Sequence, residues 1–513
     1  MNQPRRFQDL DAHRARLQAG GGADKLSIQH QKGKLGARER LALLFDHDSF
    51  VEFGLWVRNR DVELEGKEYP ADGVVTGKGE VDGRPVWAYS QDFTVTGGAV
   101  GRLHAAKIVE LMQAALKTGT PVVGINDGGG ARIQEGVDGL SGYGRIFHNN
   151  VLLSGVVPQV SVIAGPCAGG AAYSPALTDF QIMVQGTAQM FIAGPEVIRS
   201  ATGESLTEEE LGGAQAHAAI AGNIHFVARD EGHAMQLVRQ LLSYLPQNNL
   251  ETPPDLACPE LITDDESLDW VVPDGSRQAY DVHEVIQRVI DPGTFLEVQE
   301  LFAPNIVVGL ARLGGSPVGI VANQPMVLAG AIDINAADKA ARFIRTCNVF
   351  NLPIVTFVDV PGFLPGVAQE HGGIIRHGAK LLSAYSASTV PKLTVILRKA
   401  YGGAFLAMCS KDLGADSVLA WPTAEIAVMG PETAARVIYR KELKNAPDKT
   451  AFLQEKIDEY RATHANPYRA AEALHIDDII RPSWTRRLLI ERLGVLRNKR
   501  DLRPQKKHGN MPL

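Results

Sequence analysis

Residues 73–127 read GVVTGKGEVDGRPVWAYSQDFTVTGGAVGRLHAAKIVELMQAALKTGTPVVGIND, and residues 305–359 read NIVVGLARLGGSPVGIVANQPMVLAGAIDINAADKAARFIRTCNVFNLPIVTFVD. Laid over each other without a gap, they pair Gly77, Gly83, Pro85, Gly98, Ala99, Lys107, Pro121 and Asp127 with Gly309, Gly315, Pro317, Gly330, Ala331, Lys339, Pro353 and Asp359. About a quarter of the positions are identical, several times the roughly one in fifteen expected from average composition. Further on the register slips by a residue or so but persists. Val157-Pro158 falls on Val390-Pro391, Gly169-Gly170-Ala171 on Gly402-Gly403-Ala404, and Gly194-Pro195-Glu196 on Gly430-Pro431-Glu432. So long a period excludes a solenoid and implies two homologous domains.

Each copy opens with short strands punctuated by Gly and Pro, Gly73 to Gly77 and Pro85 to Tyr89 in the first. A helix follows in which Ile108, Leu111, Met112, Ala115 and Leu116 fall on one face, closed by Lys117 and Gly119. Pro121 then leads into Val122-Val123-Gly124-Ile125, an apolar run suited to a strand buried on both faces. The second copy repeats the order, with a helix through Phe343, Ile344 and Cys347, then Pro353 and a strand over Ile354 to Val358. Alternating helix and buried strand predicts an α/β fold with parallel β-α units in each half. The polar, basic first 50 or so residues, with one apolar stripe over Leu35 to Phe45, predict a helical arm packed on the core. The stretch Leu245 to Pro273 is rich in Pro, Asn and acidic residues without a period. These patterns give a first domain over 1–245 including the arm, a connector over 246–272 and a second domain over 273–513.

The 513 residues carry a formal net charge of −6 with both signs interspersed, so nothing predicts a nucleic-acid or membrane surface. The basic run Arg503 to His508 is read as a solvated tail. Cys167, Cys258, Cys347 and Cys409 are far apart with no CxxC pair, which argues against a zinc ribbon or a disulfide framework. The start, Met1-Asn2-Gln3-Pro4-Arg5-Arg6, has no apolar leader core, and Asp9 and Asp11 are unlike a transit peptide. The weakly charged stretch Val151 to Leu177 is broken by Pro158, Gln159, Pro166 and four glycines, as suits buried strand, turn and helix rather than a membrane span. A reducing, cytoplasmic location is expected.

Two features in each copy carry candidate chemistry. Strands over Val160 to Ile163 and Leu393 to Leu397 run into a glycine turn and then a helix of small residues. Such a turn leaves backbone N–H groups unpaired at a helix start, and glycine lets a ligand approach them. Two N–H groups converging there could hold an oxyanion such as a thioester enolate. A lone Gly-Gly is usually tight packing, and its recurrence at equivalent places in two diverged copies leaves packing and a ligand equally open. The loops Asp127 to Gly136 and Asp359 to Gly366 follow the C-terminal ends of predicted parallel strands, the edge where α/β sheets place ligands. Arg132 is the side chain there able to meet a phosphate or carboxylate bidentately.

Other chemistries fail on pattern. No GxxxxGK[ST] or GxSxG is present, and Gly128-Gly129-Gly130 does not continue as GxGxxG, which leaves Ser174 little claim to be a nucleophile. His217 and His225 lack a carboxylate placed like an HExxH ligand set, so no metal is expected. No residue stands out as a general base.

Several longer motifs define a resemblance. They are Lys32 to Leu35 with Ala37 to Arg40, Gly128 to Gly136, Gly165 to Ala171, Asp359 to Phe363, Gly373 to Lys380, Arg398 to Ala404, Ala420 to Gly430 and Lys507 to Leu513. From end to end the chain resembles the carboxyltransferase β subunit of biotin-dependent acyl-CoA carboxylases, of the propionyl-CoA or acetyl/propionyl-CoA type. That resemblance implies two tandem crotonase-like domains, the first binding acyl-CoA and the second biotin. It also implies hexamers with active sites formed between the N domain of one subunit and the C domain of another. It implies that carboxybiotin releases CO2 in the site, that the biotin ureido nitrogen removes the α-proton, and that the thioester enolate attacks CO2. A cofactor that brings its own base accounts for the absence of a protein base.

Carried over by position, the N–H groups around Gly169, Gly170 and Ala171 stabilise the enolate, and those of Gly403 and Ala404 polarise the biotin carbonyl. The resemblance likewise puts Gly129, Gly130, Ala131, Arg132, Tyr143, Phe405 and Leu406 against the acyl-CoA substrate, and Gly362, Phe363, Gly402 and Gly403 against biotin. The chain has no Met-Lys dipeptide of the biotin-carrying kind and no ATP-binding signature. A biotin carboxylase and biotin-carrier partner is therefore expected. Where propionyl-type chains usually read Gly-Gly-Ala-Tyr-Asp, this one reads Gly402-Gly403-Ala404-Phe405-Leu406, which is more like subunits handling longer acyl chains. Two alternatives stay open on sequence. One is a malonyl- or methylmalonyl-CoA decarboxylase subunit running the half-reaction onto biotin, and the other is a silent scaffold on the same fold.

Overall fold

The computed structural model describes residues 4–59, 68–258, 263–275 and 278–512. Met1 to Gln3 of the leader argument, residues 259–262 of the connector, 276–277 of the second domain and Leu513 of the closing motif lie outside the described residues. The backbone divides into two compact units, Met1–Glu251 and Thr252–Leu513. Residues 246–251 are tied into the first unit, where Asn249 N–H donates to Val156 O at 2.9 Å and Asn248 Nδ2 to Gly119 O at 3.0 Å. From Thr252 the chain belongs to the second unit, in which Leu256 N–H donates to Gly315 O at 3.0 Å and Leu268 is buried in the core.

In the first unit the strands are β1 (Val51–Phe53), β2 (Val74–Val81), β3 (Arg84–Gln91), β4 (Val122–Gly128), β5 (Gln159–Ala168), β6 (Phe180–Val184), β7 (Gln189–Phe191) and β8 (Phe226–Ala228). They form one sheet in the order β1-β2-β3-β4-β5-β6-β8, with β7 beside the end of β5. The second unit has β9 (Leu296–Val298), β10 (Ile306–Leu313), β11 (Ser316–Asn323), β12 (Ile354–Val360), β13 (Lys392–Tyr401), β14 (Ser417–Ala420), β15 (Glu425–Ala427) and β16 (Asp478–Ile479). Their order, β9-β10-β11-β12-β13-β14-β16 with β15 beside β13, is the same topology again.

The expected parallel β-α units are present from β3 to β8 and from β11 to β16, whereas β2-β3 and β10-β11 are antiparallel hairpins. The hairpins turn on Asp82-Gly83 (φ 51 and 71) and Gly314-Gly315 (φ 62 and 85), pairs able to hold positive φ at both central positions. The predicted helices form as Arg102–Thr118, capped by Gly119 in the left-handed conformation, and Ile334–Val349. Gly98 and Gly330 recur because an added Cβ would stand 2.1 Å from Asp127 O in one unit and 2.5 Å from Asp359 O in the other.

The arm forms helices Arg5–Gln18, Ala23–Gln31 and Ala37–Leu44, and Leu41 and Leu44 of the last are fully buried. The second unit's core gathers Val307, Ile320, Phe357, Val395 and Leu489 around Trp421, whose indole N–H donates to Thr485 Oγ1 at 3.0 Å. Among the described residues no helix is long and apolar enough to cross a membrane.

Candidate active site

The two glycine turns lie where β5 and β13 leave their sheets. β5 pairs with β6 over Val160 to Ile163, and its last three residues, Pro166, Cys167 and Ala168, pair instead with β7. β13 does the same with β14 and then β15. The chain reverses at Gly169 (φ 61) and Gly402 (φ 58), and short helices Gly170–Ala176 and Gly402–Ala407 follow. Gly170, Ala171, Gly403 and Ala404 lie in the first turns of these helices, where an N–H group has no intrahelical acceptor. One expectation is corrected, because Gly169 N–H is already committed to Phe191 O at 2.9 Å, a consequence of β7 bracing the strand end. That leaves Gly170 and Ala171 as the candidate donors of the first turn, and helices this short would act through individual N–H groups rather than a macrodipole.

Tyr143, on helix Val137–Leu153, packs beneath the first turn. Its Cγ lies 3.5 Å from where a Gly170 Cβ would be, and Phe147 and Tyr173 continue the aromatic wall. The ring is 3% exposed, its hydroxyl has no hydrogen-bond partner, and burial pushes the phenol well above its ordinary range. Beside it burial pushes the Cys167 thiol up to about 12, and its Sγ lies 3.1 Å from Ala171 O. Both groups stay protonated near neutral pH and cannot act there as bases.

The loop after β4 also borders this turn. Gly130 N–Cα geometry (φ 99) brings an added Cβ within 3.2 Å of Ala168 O, Gly130 O accepts from Val100 N, and Val100 pairs with Ala131 as an isolated parallel bridge. Nothing lies within 4 Å of an added Cβ at Gly129. Arg132 is a second correction, since it is 1% exposed and turned inward. Its guanidinium donates to Asp72 Oδ1 at 2.9 Å, Glu135 Oε1 at 2.6 Å and Ala99 O at 3.2 Å, and lies over the Tyr69 ring. With these contacts Arg132 braces the loop and does not offer its guanidinium to a substrate phosphate.

In the second unit, Gly402, Gly403, Phe405 and Leu406 line a cavity of about 760 Å³, walled opposite by Val428, His464, Arg469 and His475. An added Cβ at Gly403 meets nothing within 4 Å. A concavity of that size, mostly apolar and edged by Gly402 and Gly403, suits a small ring with a polarisable carbonyl. Ala404 is buried behind the turn, so only its N–H serves. Gly362 and Phe363 do not line this cavity. They hold the loop equivalent to 130–131, where Ile332 N–H donates to Gly362 O at 3.1 Å and Ile332 bridges Phe363.

Two sets of residues carry no local sequence signal. Residues 464–475, which wall the cavity, match no motif. Tyr401, in the last position of β13, hydrogen-bonds Glu425 of β15, which Arg461 holds at 2.8 Å. Their partners are 24 and 36 residues apart and meet only through the β13-β15 pairing.

Two α/β sheets of one topology each end a long strand in a glycine turn followed by a short helix. Residues 28–511 match the family model described as carboxyl transferase domain, and the chain belongs to that family. It is 56% identical to the methylmalonyl-CoA decarboxylase α subunit of Veillonella parvula over 502 residues, covering 97% of each chain. It is 55% identical to the propionyl-CoA carboxylase carboxyltransferase subunit of Haloferax mediterranei over 513 residues, covering 99% of each. Among solved structures it matches transcarboxylase 12S, a hexamer with methylmalonyl-CoA and methylmalonic acid bound, at a TM-score of 0.97 and 54% identity, covering 100% of this chain and 99% of that one. The chain is a carboxyltransferase of the biotin-dependent class.

Proposed function

We propose that this chain transfers a carboxyl group between biotin carried on a partner subunit and the α-carbon of a short acyl-CoA, with propionyl-CoA and methylmalonyl-CoA as the pair interconverted. The observation that carries the proposal is the doubled turn, in which Gly170 with Ala171, and Gly403 with Ala404, each place two N–H groups in the first turn of a short helix at a strand end. When a thioester lies on the first turn, those N–H groups stabilise negative charge developing on its carbonyl oxygen, worth about 3 to 4 kcal/mol per donor in a water-poor site. The second turn holds the cofactor's ring against Gly403, and Phe405 and Leu406 on the wall of the same cavity face the acyl group that the ring meets. Biotin, when bound, supplies the carboxyl group and the base. The chain's own work is to position both carbonyls, exclude water and stabilise charge.

The first unit as acyl-CoA domain, the second as biotin domain, and a crotonase-like ancestry for both are supported by the repeated topology and by the cavity at Gly403. A hexamer is supported by the likeness to transcarboxylase 12S. A reducing, cytoplasmic location is supported by Cys167, Cys347 and Cys409 being buried thiols. The partner is a biotin carboxylase with its carrier, or a biotin-bearing decarboxylase assembly, and it sets the net direction. The test is to mix the purified chain with methylmalonyl-CoA and free biotin and follow propionyl-CoA by chromatography. Biotin-dependent release is expected, and none above an active control's background overturns the proposal.

A further inference from the structure

The two units neutralise the same buried carboxylate in different ways. In the second, Asp359 Oδ2 accepts from Arg398 Nε at 3.1 Å and lies 3.0 Å from Arg398 NH2, while Asp359 Oδ1 accepts from Lys399 N–H. Arg398 belongs to β13, the strand next to Asp359, and is itself fixed by Gly275 O and Gln278 O and stacked over Tyr280. In the first unit the residue equivalent to Arg398 is Gly165, because β5 (Gln159–Ala168) and β13 (Lys392–Tyr401) align end to end. The sheet there offers no cation to Asp127.

The arm supplies it. Lys34 Nζ donates to Asp127 Oδ1 at 2.7 Å and Arg40 NH2 to Oδ2 at 2.8 Å. Glu231 in turn accepts from Arg40 Nε at 2.8 Å and from Leu35 N–H at 3.0 Å. All four side chains are at most 6% exposed, and two cations balance two carboxylates. Gly165 is required by this arrangement, since a Cβ there would stand 1.9 Å from Asp127 Oδ1 and 2.6 Å from Lys34 Nζ. The arm's ammonium occupies the space that an arginine side chain fills in the other copy.

We propose that Lys34 and Arg40 are positioning residues of the first glycine turn, and that the seating of the arm fixes the acyl-CoA site from outside the sheet. Asp127 directly precedes the Gly128 to Ala131 loop, and Gly165 lies four residues before Gly169, so the clamp grips both strands that deliver the site. A buried carboxylate deprived of its cation relaxes toward water, and these two strand ends are what it moves. The inference rests on the first turn being the acyl-CoA site.

The test compares wild type with Lys34→Met and Lys34→Arg. Lys34→Met leaves Arg40 on the second carboxylate oxygen. It is expected to speed amide exchange about tenfold across 128–132 and 165–171, leaving 360–366 and 398–404 unchanged. In the free-biotin assay it raises KM for methylmalonyl-CoA by about tenfold without moving KM for biotin. Lys34→Arg keeps wild-type values. A folded Lys34→Met with unchanged exchange overturns the proposal. If Lys34→Met does not fold, Arg40→Lys decides by the same local exchange, which would then have to rise in these segments alone. A wild type inactive with every acyl-CoA would sink the functional proposal, while the exchange comparison would still decide this one.

Discussion

Replacing Gly403 by valine separates binding of the cofactor ring from integrity of the fold. An added Cβ at Gly403 meets no atom within 4 Å, and its φ is not in the left-handed region, so valine enters without collision or backbone strain. Its effect on unfolding is expected to stay within about 0.5 kcal/mol, as for other substitutions into open space. The same methyls fill the edge of the 760 Å³ cavity and cover the N–H groups of Gly403 and Ala404. Losing one oxyanion donor costs about 2.7 to 4 kcal/mol, or 10² to 10³ in rate. The assay is steady-state transfer from methylmalonyl-CoA to free biotin, with thermal unfolding measured in parallel. The expected result is a fall of about 10² to 10³ in kcat/KM for biotin, with Tm within a degree or two of wild type. Gly170 is a poorer place for this experiment, because Tyr143 lies 3.5 Å from its added Cβ, so alanine fits and valine must displace the ring. Wild-type kcat/KM for biotin in Gly403→Val would refute the assignment of the second turn.

Tyr143→Phe removes a buried hydroxyl that has no partner, and the ligand-free protein is expected to gain about 1 kcal/mol in urea unfolding. The same variant raises KM for acyl-CoA severalfold if the hydroxyl meets substrate, a trade of function against stability. Leu406→Asp puts a charge on the cavity wall and is expected to lower kcat/KM for butyryl-CoA relative to propionyl-CoA by about tenfold, read in a competition assay. His283 is pushed up to about 9, chiefly by its hydrogen bond to Glu297 at 2.8 Å and also by Asp281. Since the folded value exceeds the unfolded one of roughly 6.5, this contribution to stability is complete below about pH 6.5 and lost as pH rises through about 9. Glu297→Gln should flatten that decline in denaturation midpoints measured from pH 6 to 9.5, and an unchanged slope would count against the linkage.

What could be read from sequence was whatever repeats. The strands at Val122 and Ile354, the helix closing at Gly119 and both glycine turns follow from local pattern plus the duplication. The hairpin at Gly314-Gly315 had a turn signal in that pair, hidden because the flanking residues are buried on both faces, whereas β2 before Asp82-Gly83 does alternate, with Lys78 and Glu80 exposed between buried neighbours. Arg132 looked like a ligand because its partner Asp72 lies 60 residues away, and only the fold brings them together. Gly169 lost its donor to Phe191 for the same reason. The cavity wall at 464–475 belongs to the part of the second copy where the repeat has faded, so no comparison of copies could point to it.

The long strands β5 and β13 change neighbours before they reach the turn, β6 giving way to β7 and β14 to β15. Residues 192–225 and 428–477 run between these short braces and the next strands of their sheets. The second excursion carries both the cavity wall at 464–475 and Arg461, which holds Glu425 of the brace. The fold thereby offers a place where subunits of one chemistry can diverge in the pocket around the ligand, while the glycine turn itself stays on the end of a strand buried in the sheet.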